Sequence, residues 1–597
     1  MGGQWSTQLR RAAPALPVAV AVLVFWRASV DVFNTTKATA VVVGVLLLLI
    51  GGCLRAVATG RTTLPTGRWV AAAAGFVAAL SMAVVTGADV TRQLVGAPGR
   101  HGGWVLYVAC MVLAVIAGRP DRDTRRGIVL VLVATAVPVA TYALLQSVDA
   151  DPLPWTTVEG GAPVFSTFGN VDFASAWLGI VGVLAAGMAL SSSRSGGLRR
   201  LGAAAVVLCV VGAFATGSLQ GPVVLLLGGG VLGLRAWHPD RRTGVLATGL
   251  ATVVVVGLLV GPASTVLDGA MRSVETRVPK WQAALDIAAG APVTGRGLDT
   301  YGDWFFAART PDVAEEAGLR RSVDNAHNLP LHLLTGGGVV LVVTWLAFVV
   351  VLPAVGVARR RTDVWADPED LAVVLAWAGY LVQAMVSIDV PPLAATGFLL
   401  TGLVAGIGGL VGEREVTVAG PRPVGAVGVA AVLLVVAVVP VLRPWRADLA
   451  GWDAAVARAA VEIPLAEAAV ARASTIAPWD DRPHAAQGGW LTGLGLLEEA
   501  LGHQQEALAR APRDLGHALN VARLLEALDR RAEAAEAYAL VLEIDPHTPA
   551  VRDEVADFRA ARPSSGGASA PGVSAPSPPE GAGATTGGTS IGPPPDR

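Results

Sequence analysis

Long apolar runs alternate with short polar interruptions along most of the chain. The first run, Ala13 to Trp26, follows Arg10 and Arg11. Runs of roughly 17–22 residues come next, near 38–57, 68–88, 103–118, 127–147, 172–190, 200–216, 221–236, 244–261, 337–358, 369–388, 393–410 and 424–442. Each is near the length at which a helix crosses ~30 Å of hydrocarbon. The first run resembles a signal peptide, but so many spans follow that it reads as an uncleaved first helix. The pattern predicts an all-α fold: a polytopic transmembrane helical bundle of about thirteen spans within residues 1–442.

Beyond Leu442 the material changes. From about Ala447 to Phe558 it is alanine-rich and amphipathic at helical spacing. Pro478, Pro512 and Pro546 are spaced by thirty-four residues, in the contexts Ile476-Ala477-Pro478, Arg510-Ala511-Pro512 and Ile544-Asp545-Pro546. Ala532, Ala535, Tyr538, Ala539 and Leu542 precede the last proline at helix-packing spacing. Residues 447–562 therefore resemble tetratricopeptide repeats, whose period is thirty-four, and stacked helix pairs of that kind bind partners. Residues 563–597 are Pro, Gly, Ser, Ala and Thr with almost no large apolar side chain. They cannot offset their chain entropy by burial and are expected to be disordered.

Composition agrees with a membrane protein. The chain is 53% hydrophobic and 15% charged, where soluble domains carry roughly 25% charge. A net charge of −1 points away from nucleic-acid partners. Cys53, Cys110 and Cys209 each fall in an apolar run and suit neither a disulfide framework nor a zinc site. Arginine gathers in alternate loops: Arg55 to Arg68, Arg119 to Arg126, Arg194 to Arg200, Arg235 to Arg242 and Arg359 to Arg361. By the positive-inside rule these loops and the N-terminus are cytoplasmic in an inner (cytoplasmic) membrane protein. A large loop at about 262–335 and everything after Leu442 then lie outside.

That loop is the polar exception among the spans. Asp268 to Thr335 holds seven Lys/Arg, nine Asp/Glu and two His. Arg277, Lys280 and Trp281 share one face of a short amphipathic helix. Gly295-Arg296-Gly297 makes a tight turn, with Tyr301 and Trp304 after it. Arg320 and Arg321 precede Asp324, and His327-Asn328-Leu329-Pro330 leads through Gly336-Gly337-Gly338 into a span. The His-Asn pair thus sits at the membrane boundary. Trp281 and Tyr301 read equally well as interfacial anchors or as sugar-stacking platforms. His332, and Arg92 and Arg100 in another outward loop, are weaker candidates. Asp299, Asp303 and Asp324 match no standard metal-binding loop. His101, His238, His484, His503, His517 and His547 look incidental.

Three pieces resemble the O-antigen ligase and polymerase superfamily, over roughly residues 30–410. They are Gly169-Asn170 with Phe173-Ala174, then Arg277 with Trp281 followed by Gly295 and Gly297, then Ala326-His327-Asn328 with Leu331 and Gly336–Gly338. The resemblance implies a GT-C-like membrane enzyme that moves a glycan from a polyprenyl pyrophosphate to an acceptor hydroxyl, inverting and without metal or other cofactor. His327 would be the base and Arg277 a pyrophosphate ligand. Where relatives often show Ser-Arg after the seventh span, this chain has Ser218-Leu219-Gln220.

The residues support the same chemistry on their own terms. A departing diphosphate gathers charge, which the planar guanidinium fork suits. The attacking hydroxyl must lose a proton, and imidazole can take it at neutral pH. Asp324, three residues before His327, would orient the ring on a helical turn. Arg277, Lys280, Trp281, Arg296, Arg320, Arg321 and Asn328 are the expected substrate contacts. Partners would be the lipid bilayer, the lipid-linked donor, a glycan, lipid or protein acceptor, and a protein held by the repeats. A flippase for lipid-linked oligosaccharide and a membrane-anchored scaffold are the alternatives. A flippase would put charge at the membrane midplane, and the spans here carry almost none.

Overall fold

The computed structural model describes residues 11–119, 121–155, 164–236, 275–318, 323–418 and 441–561. Arg320, Arg321, the runs at 244–261 and most of 424–442, and the tail 563–597 lie outside the described residues.

The described residues are mostly helical. The helices of the first half are α1 (Leu16–Leu23), α2 (Asn34–Thr59), α3 (Arg68–Thr86), α4 (Val90–Val95), α5 (Trp104–Ala117), α6 (Arg122–Ser147), α7 (Val171–Leu190), α8 (Gly196–Ala215) and α9 (Gln220–Ala236). Then come α10 (Val278–Ala289), α11 (Tyr301–Ala308), α12 (Pro311–Ala317), the long α13 (Leu329–Arg359), α14 (Arg361–Ala366), α15 (Pro368–Ala384) and α16 (Pro391–Ile407). Helices occupy eleven of the apolar runs. Six of them, α2, α3, α6, α7, α8 and α13, are long and apolar enough to cross a membrane, and α1, α5, α9 and α16 are shorter apolar helices. All seventeen residues of α16 are buried, so it runs through the middle of the bundle. Polar groups that must enter this core find partners: the Trp177 indole donates to Thr396 Oγ1 at 3.1 Å. Within α13, Leu346–Val351 form a π-turn, and the carbonyl of Phe348 there accepts the Trp69 indole N–H at 2.8 Å.

The loops gather in two sets, one at each end of the bundle. At the arginine-rich end, Arg194 and Arg126 converge on the buried Glu369 at 2.6 and 3.6 Å. A ribbon missing from the sequence expectation lies here too. Strands β1 (Arg61–Thr66) and β2 (Gly412–Thr417) pair antiparallel, Arg61 opposite Thr417. The opposite end carries residues 87–103, 275–318 and 323–328, and the C-terminal helices.

Those helices are α17 (Arg443–Ala459), α18 (Ile463–Ile476), α19 (Arg482–Gly493), α20 (Leu497–Arg510), α21 (Leu515–Ala527), α22 (Arg531–Ile544) and α23 (Pro549–Ala560). The starts of α18, α20 and α22 are thirty-four residues apart. So are Val461, Gly495 and Asp529, the left-handed residues that turn the chain ahead of each. Alanines and leucines on the facing sides, among them Ala500, Leu501, Ala518, Leu525 and Ala534, close a separate apolar core.

Candidate functional site

Two glycine segments fix the polar loop against the bundle. Gly295 has φ 69° and Gly338 has φ 65°, backbone that side chains rarely adopt. A Cβ on Gly295 would stand 2.4 Å from the Gly336 carbonyl carbon, and one on Gly338 would stand 2.2 Å from the Val293 oxygen. The approach is close enough for backbone bonding. The N–H groups of Arg296 and Gly297 donate to the carbonyls of Thr335 and Gly336 at 2.8 and 2.9 Å, and Val339 N–H donates to Pro292 O at 2.8 Å. The loop is therefore laced to the first turns of α13.

His327 stands at the entry of that helix. Asn325 Oδ1 accepts the His327 N–H at 3.0 Å, and His327 takes φ 51°. This is an uncommon conformation for a side-chain-bearing residue, and it is held by its neighbours. Asn328 is used up in the architecture. Its Oδ1 caps α13 by accepting Leu331 N–H at 3.0 Å, and its Nδ2 donates to Met385 O at 2.9 Å. These two bonds fix the amide in place at the entry of the span.

The charges of three cations act on the imidazole. Burial pushes His327 down to about 2, and Lys280, Arg277 and Arg100 push the same way. Arg277 is the N-cap residue of α10 and Lys280 lies in its first turn. Burial also lowers Arg277, and the negative charge of Asp172 at the start of α7 opposes this. The Asp172 carboxylate is itself held by Ser218 Oγ at 2.6 Å. The Gly169-Asn170 segment, where Asn170 caps α7, and the Arg277 segment are thus brought into electrostatic contact. Trp281, also in the first turn, is half-buried, and its Nε1 is buried without an acceptor.

The expected Asp324–His327 partnership does not form. Residues 323–328 are not helical, so a spacing of three does not align their side chains. Asp324 instead receives the Arg100 guanidinium as a fork, Nε to Oδ2 and Nη2 to Oδ1, the latter at 2.8 Å. Asp324 positions a cation and leaves the imidazole alone. The carboxylate that faces a histidine is Asp299, 3.6 Å from His332 Nε2. Burial works against the Asp299 charge, but His332, the Ala97 N–H and Arg100 outweigh it and hold Asp299 below its usual range. Arg100, Asp299, Asn325, His332 and Asp389 line a cavity of ≈ 10 Å³. Arg296 does not join the cluster. Its guanidinium lies 4.3 Å from the centre of the Trp304 ring.

The segment α7 to α13 is the part of the chain that matches a known family. A family model described as O-antigen ligase matches residues 174–346. This stretch is similar to the O-antigen ligase family. The O-antigen ligase segment is narrower than the 30–410 expected from the three motifs, and it holds Arg277, Lys280, Asp324 and His327. Arg100, Asp172 and the C-terminal helices complete the site's surroundings from outside it. No curated protein matches the chain. The resemblance, the helical fold and the apolar spans together describe a multi-pass membrane protein of glycosyltransferase-like type.

Sequence reasoning gave Arg100 little weight and missed Asp172. Arg100 is 224 residues from Asp324. Its only local signal is a buried-arginine position in a short Gly-rich loop, Gly96-Ala97-Pro98-Gly99-Arg100.

Proposed function

We propose that the protein is an inverting, metal-independent glycosyltransferase. It transfers a glycan from a polyprenyl-pyrophosphate carrier to an acceptor hydroxyl at the outer face of the cytoplasmic membrane. The observation that carries this reading is that His327 stands at the mouth of a span, inside the stretch that matches the O-antigen ligase model, with the charges of Lys280, Arg277 and Arg100 bearing on it. The arginine-rich loops at the other end of the bundle support an outward-facing site. By the same sidedness the C-terminal helices are external, and their thirty-four-residue period supports tetratricopeptide-like repeats, with an acceptor or protein partner to hold.

The transfer is a single displacement. The diphosphate of the donor lies against Arg277 and Lys280, with the Trp281 indole N–H available to one of its oxygens. The acceptor oxygen attacks the anomeric carbon from the opposite side as its proton passes to His327. The bond from that carbon to the diphosphate oxygen breaks, and the diphosphate leaves with the electron pair, its charge met by guanidinium and ammonium groups. Arg100 contributes charge while Asp324 fixes its orientation.

Burial and three cations keep the ring neutral, which is the form that accepts a proton. A bound diphosphate offsets those cations, so imidazole basicity rises when donor is present. The test is donor-to-acceptor transfer in right-side-out membrane vesicles. His327→Ala is expected to lose about 10²–10⁴ in rate with unchanged insertion and melting. A transfer rate equal to that of the unaltered protein would remove His327 from the reaction.

A further inference from the structure

We propose that the groove between α10, α11 and the C-terminal helices binds an oligosaccharide segment of the glycan, beyond the sugar that reacts. The proposal rests on the glycosyltransferase reading above and deepens it. The groove has a volume of ≈ 470 Å³, within the range of small-ligand sites, about 300–1,000 Å³. Asp286 and Ile287 from α10, Arg296 and Trp304 from the loop, Thr310 at the start of α12 and His547 from the C-terminal helices line it. A carboxylate, a guanidinium, an imidazole and a hydroxyl beside an indole supply donors and acceptors for sugar hydroxyls and a flat wall for sugar C–H faces.

Arg296 brings its guanidinium to the groove wall, over the Trp304 ring, with its Nε buried and without an acceptor. The indole that supports it is rigidly placed. Arg513 of the C-terminal helices lies 4.0 Å from the centre of the Trp304 ring and donates Nε to Asp303 O at 3.1 Å. The groove therefore has walls from both parts of the chain. It also shares a helix with the transfer centre. From Arg277 to Asp286 is roughly 14 Å at ~1.5 Å per residue along α10. A chain of a few sugars whose reactive end sits at Arg277 and His327 is long enough to reach this groove. His547, incidental by its sequence context, becomes part of its lining.

The test measures binding apart from chemistry. Full-length protein carrying His327→Ala in lipid nanodiscs is titrated with size-fractionated oligosaccharides from the surface polysaccharide of the producing cells, and separately with the constituent monosaccharides. Fragments of several sugars are expected to bind, and the monosaccharides to bind far more weakly. Ala307→Trp, which fills the groove from α11, is expected to raise the oligosaccharide Kd about tenfold at unchanged melting temperature. His547→Ala, which cannot obstruct folding by bulk, is expected to weaken binding in the same direction. Competition by lipid-linked glycan would assign the segment to the donor, and competition by the glycan-free acceptor's own sugars to the acceptor. Equal affinity for all fragment lengths, or no response to either variant, would overturn the groove. Transfer surviving in His327→Ala while length-selective binding persists would sink the transfer centre and leave the groove standing.

Discussion

His327 shows how a side chain legible in sequence takes its chemistry from partners that are not. The His-Asn-Leu-Pro run at the start of a span marks the residue, and Arg277 is marked by its place ahead of a short amphipathic helix. Neither fixes what surrounds the ring. A spacing of three between Asp324 and His327 suggests a helical turn, and the segment is not helical, so the carboxylate goes to Arg100. The consequence is measurable with pH. Burial and the cations push His327 down to about 2, far below an ordinary imidazole near ~6.5. The free protein's kcat/KM is therefore expected to stay flat as pH falls from about 8 to about 5. The kcat profile, which reports the donor-bound state, should fall at higher pH than kcat/KM, because the diphosphate raises the ring. Stability runs the same way: below ~6.5 the unfolded chain binds a proton that folded His327 refuses, so acid destabilises the fold. An acid limb near pH 6.5 in kcat/KM would show that the cations do not control this histidine.

At the level of elements, what was readable followed length and what was missed followed distance. Apolar runs set the helices, and caps moved their ends: α13 begins at Leu329, eight residues before its apolar run, because Asn328 caps it and Pro330 is tolerated in a first turn. The β1–β2 ribbon left no comparable signal. Arg61-Thr62-Thr63-Leu64-Pro65-Thr66 is short and contains a proline, and its partner lies some 350 residues on. The two glycine groups were legible as turns, but not as each other's contact. Their packing predicts that Gly338→Ala is far worse than an ordinary substitution in a span. The new Cβ meets Val293 O at 2.2 Å, in a backbone conformation that side chains avoid. Displacing the loop from α13 should move Arg277 relative to His327. Transfer is expected to fall at least as far as thermal stability, with new protease cleavage between residues 290 and 300. Unchanged cleavage and rate would mean that this crossing does not hold the loop.

Over the whole molecule, the C-terminal helices form one body with the loop that carries the site. Phe306 of α11 is buried in the apolar core of those helices. Beside it, Arg309 is wholly buried and pairs with the wholly buried Asp545 at 2.7 Å, with the Thr548 hydroxyl completing the contact. Arg92 holds Asp303 of α11 in a fork at 3.1 and 2.9 Å, tying the same helix to the loop 87–103. The thirty-four-residue period announced the helix pairs. Nothing in it announced that Asp545, beside the last proline of the repeat, would reach back 236 residues to Arg309. The two ends of this pair are not equivalent. Without Arg309, Asp545 still accepts from Thr548 Oγ1 at 2.5 Å and from the N–H groups of His547 and Thr548. Without the Asp545 charge, Arg309 keeps the Gly318 carbonyl at 3.0 Å, the Thr548 hydroxyl and the ring of Phe306, and has no anion. A buried charge stripped of its partner costs about 3–5 kcal/mol, so Asp545→Asn should destabilise more than Arg309→Met. If α11 and the helices unfold as one unit, Asp545→Asn will also lower transfer at temperatures where the spans remain intact. Equal melting of the two variants, or a transfer rate indifferent to Asp545→Asn, would show instead that the loop holds its shape without the helices docked against it.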